Sequence, residues 1–456
     1  MEFSSIKESN PWWEKDDWEK TDLHLSNIKA QKITWDYNLI KKFEEGIYSI
    51  SGPRQVGKTS FIKQTIRELV KKKNPKNIFF YSCDNINKAE LEDALNLFFD
   101  FSEKGERFIF LDEIPFVEGW EFVIKHFYDS GKLSQCFVLL CGSNSIDLKR
   151  SIERLPGRGD SGKRHFIMSP LTFLEYLEAI KFPMALTGKR SKDEALIKLH
   201  IKELQKEYEN YLLTGGFIKI INEYYATKFI SDYSYDIYLK WIIGDLAKVN
   251  LKEKYAKQLL RRVIETYTTE VSWSSLSSGT DIDTHNTASK YLEALEEMFV
   301  LNIIYKMDFN KKIPDYPKSK KIYFSDPFIL SCIYKWINSI EGNFEKYKNF
   351  FESNISKISE GALLNHLIRL ITKRTKSNVF NYSDKVYYWT NKSKTKEIDF
   401  IYENTAFEVK YQNEINSGDY SGLKEFKNSY LLTKKTFDKK TYPLSGFLLL
   451  LEKYLI

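Results

Sequence analysis

Short apolar runs alternate with helix-forming stretches through the first third of the chain. Four of these runs lack the in-and-out alternation of a half-exposed strand, and each is followed by polar residues or glycine. They cover residues 47–50, 77–82, 107–111 and 136–141. Uninterrupted apolar strands suit a parallel sheet that is buried on both faces. The pattern therefore predicts an α/β fold built on a parallel sheet.

The pattern changes twice further along the chain. From residue 170 to about 265, apolar residues recur every three or four positions, as in Leu171, Leu174 and Leu177, which predicts a helical region. Residues 271–308 then have a helix-turn-helix rhythm: a short helix over 274–278, a turn, a helix over 284–298 and a strand after it. Near the end, alternation over 386–389, 397–401 and 406–411 predicts adjacent strands of a hairpin.

Composition bounds the class of protein. A chain of 456 residues is long enough for two to four domains. Its 42% hydrophobic and 15% aromatic content exclude a disordered chain. The four cysteines have no metal-ligand spacing, and we expect buried thiols in a reducing compartment. The start of the chain has no signal-peptide pattern, and no apolar run approaches the ~20 residues that span a bilayer. We expect a cytoplasmic protein without a membrane segment.

The formal charge of +7 is unevenly placed. Residues 356–456 carry 17 lysines and arginines against 11 acidic residues, so +6 of the excess lies in the last quarter of the chain. A basic terminal region fits a polyanion such as nucleic acid. A lysine-rich surface that serves only solubility fits the charge equally well.

A phosphate-binding loop follows the first predicted strand. The octet of residues 52–59 matches G-x-x-x-x-G-K-[ST], and a helix-forming stretch begins at Ser60. The two glycines let backbone N–H groups point at phosphate oxygens, Lys58 reaches the β- and γ-phosphates, and the Thr59 hydroxyl holds Mg²⁺. The predicted nucleotide contacts are Gly52, Pro53, Arg54, Gln55, Val56, Gly57, Lys58, Thr59 and Ser60.

An acidic pair, Asp112 and Glu113, ends the third predicted strand. Ligands of open α/β sheets bind at the carboxyl ends of the strands, which is where both carboxylates emerge. We expect Asp112 to orient Mg²⁺ and Glu113 to polarise the attacking water, the pairing of hydrolysing P-loop ATPases of the ASCE class. The prediction is therefore an ATP hydrolase with ATP and Mg²⁺ as cofactors.

Two further positions complete the predicted site. A polar residue after the fourth strand commonly senses the γ-phosphate, and Ser143 and Asn144 are the candidates; a simple strand-to-helix cap is the alternative. Arg158, in a glycine-containing loop, is the candidate finger that reaches a neighbouring subunit's ATP, with Arg154 second. An ordinary exposed loop arginine fits that position nearly as well.

These phrases together resemble a known family. The loop 52–59, the phrase 111–115 with Gly119 and Trp120, the phrase 142–145 and the segment 169–176 are similar to the AAA+ ATPases of the archaeal and bacterial "predicted ATPase" group. The opening 10–13 and the segment 214–217 fit that group as well. The resemblance implies a P-loop ASCE (AAA+) parallel sheet with a helical lid, then a winged helix and a mixed α/β restriction-endonuclease-like domain.

The implied domains are an N-terminal extension (1–30), the ATPase core (31–170), the lid (171–265), the winged helix (266–340) and the endonuclease-like domain (341–456). In the winged helix, the candidate DNA contacts are His285, Asn286, Ser289 and Lys290. Glutamates 293, 296 and 297 share the same helix and oppose phosphate binding, so a structural or protein-docking role stays open.

The C-terminal hairpin carries a possible second site. Asp399, then Glu408 and Lys410 in a Glu-x-Lys phrase, resemble the metal-dependent nucleases of the endonuclease-like fold. Family members carry a glutamate on the preceding helix where this chain has Asn365. Glu360 lies five residues earlier, which turns it roughly 140° around the helix. An active nuclease and a nucleic-acid-binding or structural remnant both remain open.

Three functions follow from these observations. The favoured one is an ATPase that couples ATP hydrolysis to action on DNA, as a homo-oligomer if Arg158 acts in trans. The second is a nucleotide-switched signalling or defence protein that holds protein partners. The third is a metal-dependent nuclease gated by ATP.

Overall fold

The computed structural model describes residues 2–143, 148, 164–317, 319–339, 344–375 and 381–454. The described residues up to Ser169 form one compact unit, and those from Pro170 onward form a second. Among the described residues, no helix is both long and apolar enough to cross a membrane. All four cysteines are free and buried, as the sequence predicts.

The first unit is built on a five-stranded parallel sheet. Its strands are β1 (Gly46–Ser51), β2 (Ile78–Ser82), β3 (Arg107–Asp112), β4 (Cys136–Gly142) and β5 (His165–Ile167). The order is β2-β3-β4-β1-β5, so β4 lies between the strand that leads into the phosphate loop and the strand that ends in the acidic pair. The four strands predicted from apolar runs are confirmed. The fifth has only three residues and no apolar run to reveal it.

Five helices of the first unit are described: α1 (Phe3–Ser9), α2 (Leu23–Ala30), α3 (Lys58–Val70), α4 (Lys88–Phe101) and α5 (Trp120–Asp129). Local signals fix where they begin. Helix α4 starts with a reciprocal capping box between Asn87 and Glu90, and α3 starts after Gly57. One core cluster joins the sheet to α4 and α5 through side chains such as Phe79, Phe98 and Phe127.

The N-terminal segment covers the outer edge of the sheet. The Asn10 side chain bonds both backbone groups of Phe80 in β2: its Nδ2 donates to the carbonyl (3.0 Å) and its Oδ1 accepts from the N–H (2.6 Å). The indoles of Trp12 and Trp13 both donate to the carbonyl of Ile78, at 3.0 and 2.9 Å. Because β2 is the last strand on this side, these bonds occupy backbone groups that an edge strand otherwise leaves open.

The second unit begins as helices. Those described are α6 (Phe173–Ala179), α7 (Arg190–Leu199), α8 (Ile201–Thr214), α9 (Ile218–Thr227), α10 (Asp232–Lys248), α11 (Glu253–Glu265), α12 (Trp273–Ser277), α13 (His285–Glu297), α14 (Pro327–Asn338), α15 (Phe344–Arg374) and α16 (Leu444–Tyr454). The helical character predicted for 170–265 is confirmed, and α12 and α13 match the two short helices predicted after it.

The remaining strands form one mixed sheet. They are β6 (Leu301–Asp308), β7 (Ile313–Pro314), β8 (Lys320–Phe324), β9 (Val386–Thr390), β10 (Glu397–Tyr402), β11 (Thr405–Lys410), β12 (Asn428–Thr433) and β13 (Thr441–Pro443). The order is β13-β12-β11-β10-β9-β6-β7, with β8 antiparallel to β6. The predicted neighbours β9, β10 and β11 are indeed adjacent and antiparallel.

The hairpin β6–β8 does not stand apart from the C-terminal sheet. Strand β6 pairs in parallel with β9, with Tyr305 opposite Tyr387. The strand that the sequence places at the end of a winged helix is therefore part of the same hydrogen-bonded sheet as the predicted endonuclease-like strands. A boundary at 340/341 passes through that sheet.

Candidate functional site

The phosphate-binding loop has the conformation that its glycines allow. Gly57 adopts φ = 107°, directly before α3, and Gln55 is also left-handed at φ = 63°. At Gly52 a Cβ atom would lie 2.1 Å from the carbonyl oxygen of Met168, so only glycine fits there. The Lys58 ammonium donates to the carbonyls of Gly52 and Pro53, at 2.9 and 3.0 Å, which holds it inside the loop.

The first carboxylate of the acidic pair lies against the loop. The Thr59 hydroxyl donates to Oδ2 of Asp112 at 2.5 Å, so residues 53 positions apart meet at the carboxyl end of the sheet. Asp112 is only 3% exposed. Burial raises the pKa of this carboxyl, while the hydrogen bond from Thr59 acts in the opposite direction. A threonine hydroxyl and an aspartate oxygen are hard oxygen donors of the kind that Mg²⁺ takes.

The second carboxylate, that of Glu113, contacts Ser143 at the end of β4. Glu113 has a left-handed backbone (φ = 50°), which turns the chain sharply after β3. Its Oε2 accepts from the backbone N–H of Ser143 at 3.2 Å and from the Ser143 hydroxyl at 3.0 Å. Ser143, predicted as a phosphate sensor, therefore holds the predicted catalytic glutamate. Asn144, Arg154 and Arg158 lie outside the described residues.

Comparison with known families agrees with this geometry. Residues 44–177 match the model of an AAA domain. This stretch is similar to AAA domains and is called the AAA domain here. Residues 205–339 match the model of a domain of unknown function, DUF8612, which spans most of helix α8, helices α9 to α14 and the β6–β8 hairpin.

Two relatives come from Methanocaldococcus jannaschii. The uncharacterized protein MJ1637 is 30% identical over 178 residues, which is 36% of this chain and 36% of the relative. The uncharacterized protein MJ1544 is 24% identical over 387 residues, 82% of this chain and 75% of the relative. The match to MJ1637 thus spans little more than a third of that protein.

Among solved structures, the chain is similar to the ORC1 protein of Aeropyrum pernix in complex with DNA, at 12% identity. That alignment covers 64% of this chain and 86% of the other, with a TM-score of 0.29. AMPPCP-bound DnaA from Aquifex aeolicus is similar at 14% identity over 61% and 88%, with a TM-score of 0.25. The assignment of the AAA domain rests on the family model and on the strand order of the sheet.

Away from the AAA domain, the second unit brings together the predicted nuclease-like residues. Asp399 in β10 and Glu408 in β11 are 5% and 6% exposed, and the Asp399 N–H donates to Oε2 of Glu408 at 3.3 Å. Lys410 pairs with Oε1 of Glu408 at 2.7 Å. The two carboxylates and the lysine therefore do converge on one end of the β10–β11 pair.

The helix residue of this cluster differs from the prediction. Asn365 does not reach it: its side chain bonds the Asn302 side chain (2.8 Å) and the Phe324 carbonyl (3.3 Å). The helix residue that lies beside the cluster is Glu360, because Glu360 and Asp399 both form an ion pair with Lys321. Asn365 therefore does not take the position of the family's helix glutamate: it contacts β6 and β8, whereas Glu360 reaches the lysine that also contacts Asp399 of β10.

Lys321 is the member that the sequence does not predict. It lies in the buried strand β8, and its side chain is 1% exposed. The doublet Lys320-Lys321 reads as part of a solvated lysine-rich loop, although the apolar residues that follow it in β8 were a signal that this strand is buried.

Burial and crowding raise the pKa of two of these acids. The pKa of Glu360 is raised to about 8, first by burial and then by the nearby Asp399, and the pKa of Glu408 is raised to about 8 for the same two reasons. Across the described residues, no group of three or more His, Cys, Asp or Glu side chains is arranged to hold a metal ion.

The predicted DNA contacts lie on the surface of α13. His285, Asn286 and Lys290 are exposed, and Ser289 is half-buried with its hydroxyl donating to Glu293. Glu296 does not add to that surface charge as the sequence suggests. It faces the hairpin, where its Oε1 accepts the Ile303 N–H and the Tyr382 hydroxyl.

Proposed function

We propose that this protein is a Mg²⁺-dependent ATPase that couples ATP hydrolysis to action on DNA. The observation that carries the proposal is the convergence of Lys58, Thr59, Asp112 and Glu113 at the carboxyl end of one parallel sheet. Two independent sequence signals, the phosphate loop and the acidic pair, contribute these side chains, and together they supply a cation, two oxygen ligands and a base.

The chemistry assigned to the site is in-line hydrolysis of the γ-phosphate. Lys58 neutralises charge on the β- and γ-phosphates, and the oxygens of Thr59 and Asp112 would hold the Mg²⁺ that shares this task. Glu113 accepts a proton from the attacking water, and the two donors of Ser143 fix the direction of its carboxylate. An arginine supplied by a neighbouring copy, with Arg158 first, would complete the site in an oligomer.

Two surfaces of the second unit support action on DNA. The first turns of α13 expose His285, Asn286 and Lys290, and the Glu296 carboxylate is directed away from this surface to Ile303 and Tyr382. The second surface is a set of exposed lysines in loops of the C-terminal sheet: Lys392, Lys424, Lys427, Lys435, Lys439 and Lys440. Exposed lysines neutralise phosphates without reading sequence, so we expect salt-sensitive binding with little base preference.

The first experiment measures ATP turnover with and without duplex DNA on the wild type and on Glu113→Gln. Loss of the base predicts a fall in kcat of roughly 10²–10⁴-fold with nucleotide binding retained. Glu118→Gln is the matched control, because Glu118 is exposed five residues further on. Turnover of Glu113→Gln near the wild-type rate would refute the assignment of the base.

The DNA part of the proposal has its own control. Lys290→Glu should weaken duplex binding and lower the DNA stimulation of turnover, whereas Lys192→Glu, on the exposed face of α7, should change neither. Turnover that depends on Glu113 but ignores DNA, with no duplex binding at low salt, would leave the ATPase intact and favour the nucleotide-switched, protein-binding function.

A further inference from the structure

Lys321 lies at the centre of the acidic cluster in the second unit. Its ammonium is 2.5 Å from Oε1 of Glu397, 3.2 Å from Oδ1 of Asp399 and 3.4 Å from Oε1 of Glu360. An ammonium group has three N–H donors, and three carboxylate oxygens from two elements surround this one. The side chain is almost completely buried, so water takes little part in balancing its charge.

The surrounding structure fixes both the lysine and the acids. Strand β8 pairs with β6 along its whole length, with Lys321 opposite Ile304. The Tyr323 hydroxyl, two residues along the same strand, donates to the same Glu360 oxygen at 2.6 Å. Asp399 is held from the other side, where its Oδ2 accepts the Val409 N–H at 2.9 Å. The lysine is therefore part of a hydrogen-bonded core.

A divalent ion does not fit this arrangement. Mg²⁺ in a nuclease-like site would need carboxylate oxygens at about 2.0–2.1 Å, with an octahedron completed by water. The oxygens of Asp399 and Glu360 that converge on one point already face the ammonium of Lys321. A metal bound to them would lie beside a buried positive charge, which strongly opposes its binding.

We propose that Lys321 replaces the divalent metal of this nuclease-like cluster. The β6–β8 hairpin supplies a built-in cation to acids that come from α15 and β10, and the site recruits no divalent ion at Asp399. Lys410 contributes a second ammonium at the rim through Glu408, with its side chain 36% exposed. The C-terminal sheet then carries the acids of a nuclease-like cluster without the ion that metal-assisted cleavage requires.

The proposal predicts that deleting the ammonium creates a metal site. In the full-length, nucleotide-free protein, Lys321→Ala leaves a cavity lined by carboxylates. We expect a lower Tm for this variant, and a saturable recovery of about 3 °C or more in millimolar MnCl₂. The wild type should show no such rise. Lys321→Met keeps the volume but not the charge, and it should be destabilised without recovery because the side chain fills the cavity.

The site of the effect is checked with a second substitution. Lys321→Ala combined with Asp399→Asn should lose the MnCl₂ recovery, since the ion then lacks a ligand. A folded Lys321→Ala that shows no recovery would overturn the proposal. ATP turnover of each variant reports on the AAA domain separately, so failure here is distinct from failure of the proposed ATPase.

A direct count of bound Mn²⁺ by electron paramagnetic resonance keeps the test decisive if Lys321→Ala does not fold. Wild type and Asp399→Asn should bind the same amount, because the cluster holds no ion in either. One Mn²⁺ bound by the wild type and lost in Asp399→Asn would overturn the proposal.

Discussion

Replacing Asn10 with alanine should destabilise the ATPase unit far more than an ordinary asparagine substitution. Asn10 is fully buried and makes three hydrogen bonds: two with the backbone of Phe80 and one, at 2.8 Å, with the carbonyl of Ile6. Alanine leaves the N–H and C=O of Phe80 without these partners in a residue that is 7% exposed. Each unpaired buried group costs about 1–3 kcal/mol, and partial entry of water offsets some of it. We expect a loss of about 3 kcal/mol.

For a unit of this size, that loss corresponds to a fall in Tm of roughly 6–12 °C. Thermal unfolding of the full chain measures it, and hydrogen exchange locates it, because β2 should lose protection before the central strand β4. Asn96→Ala is the control, since the bond that the Asn96 side chain accepts within the described part of the chain is an exposed one from Lys132. A Tm within about 1 °C of wild type, with unchanged exchange in β2, would refute the view that this segment completes the sheet edge.

Two further predictions concern single side chains. His366 accepts the Phe173 N–H at Nε2 (2.8 Å) and donates from Nδ1 to the Ala362 carbonyl (2.7 Å), and burial lowers its pKa, so the folded ring stays neutral. Below pH 6.5 the unfolded chain takes up a proton at this histidine that the folded chain does not, so the free energy of unfolding decreases as the pH is lowered. Between pH 6.5 and 5.0 this residue contributes at most about 2 kcal/mol of that decrease. Urea titrations should show a smaller loss for His366→Gln, and an equal loss would contradict the assignment. Ser143→Ala should lower kcat for ATP about tenfold with KM unchanged, since one bond to a charged carboxylate is lost, and Ser143→Thr should restore it. An equal further drop in the Glu113→Gln background would show that Ser143 does not act through Glu113.

The sequence predicts that Thr59 and Asp112 meet at the carboxyl end of the sheet because each part of this arrangement has a local signal. An apolar run marks each strand, glycines mark the loop, and the acidic pair ends its strand, so the meeting of Thr59 with Asp112 follows from the parallel topology. The contact between Ser143 and Glu113 needs side-chain rotamers, which no periodicity encodes. The sequence therefore names both residues but assigns Ser143 to the phosphate.

The acidic cluster could not be predicted from the sequence for a different reason. Helical geometry correctly separates Glu360 from Asn365, but it cannot say which of the two side chains reaches the acidic cluster beside β10. The rotation of α15 about its axis depends on packing. A Cβ at Gly361 would lie 2.3 Å from the Tyr267 hydroxyl, so the helix approaches its neighbours closely next to Glu360. Lys321 is hidden for a related reason, because a lysine is almost never buried unless acids from distant segments are brought to it.

Both sheets are completed by segments that a linear reading assigns to other domains. A fragment beginning at residue 31 lacks Asn10 and leaves the edge of β2 open, and a fragment beginning at 341 lacks β6 and exposes β9. The second fragment also loses Lys321, so Glu360 and Asp399 would be brought together without their cation. Removing one partner of a buried ion pair costs about 3–5 kcal/mol, and here several acids share the one ammonium. DNA binding by the C-terminal sheet must therefore be tested in the full chain, since an inactive fragment would report a broken sheet instead of a missing function.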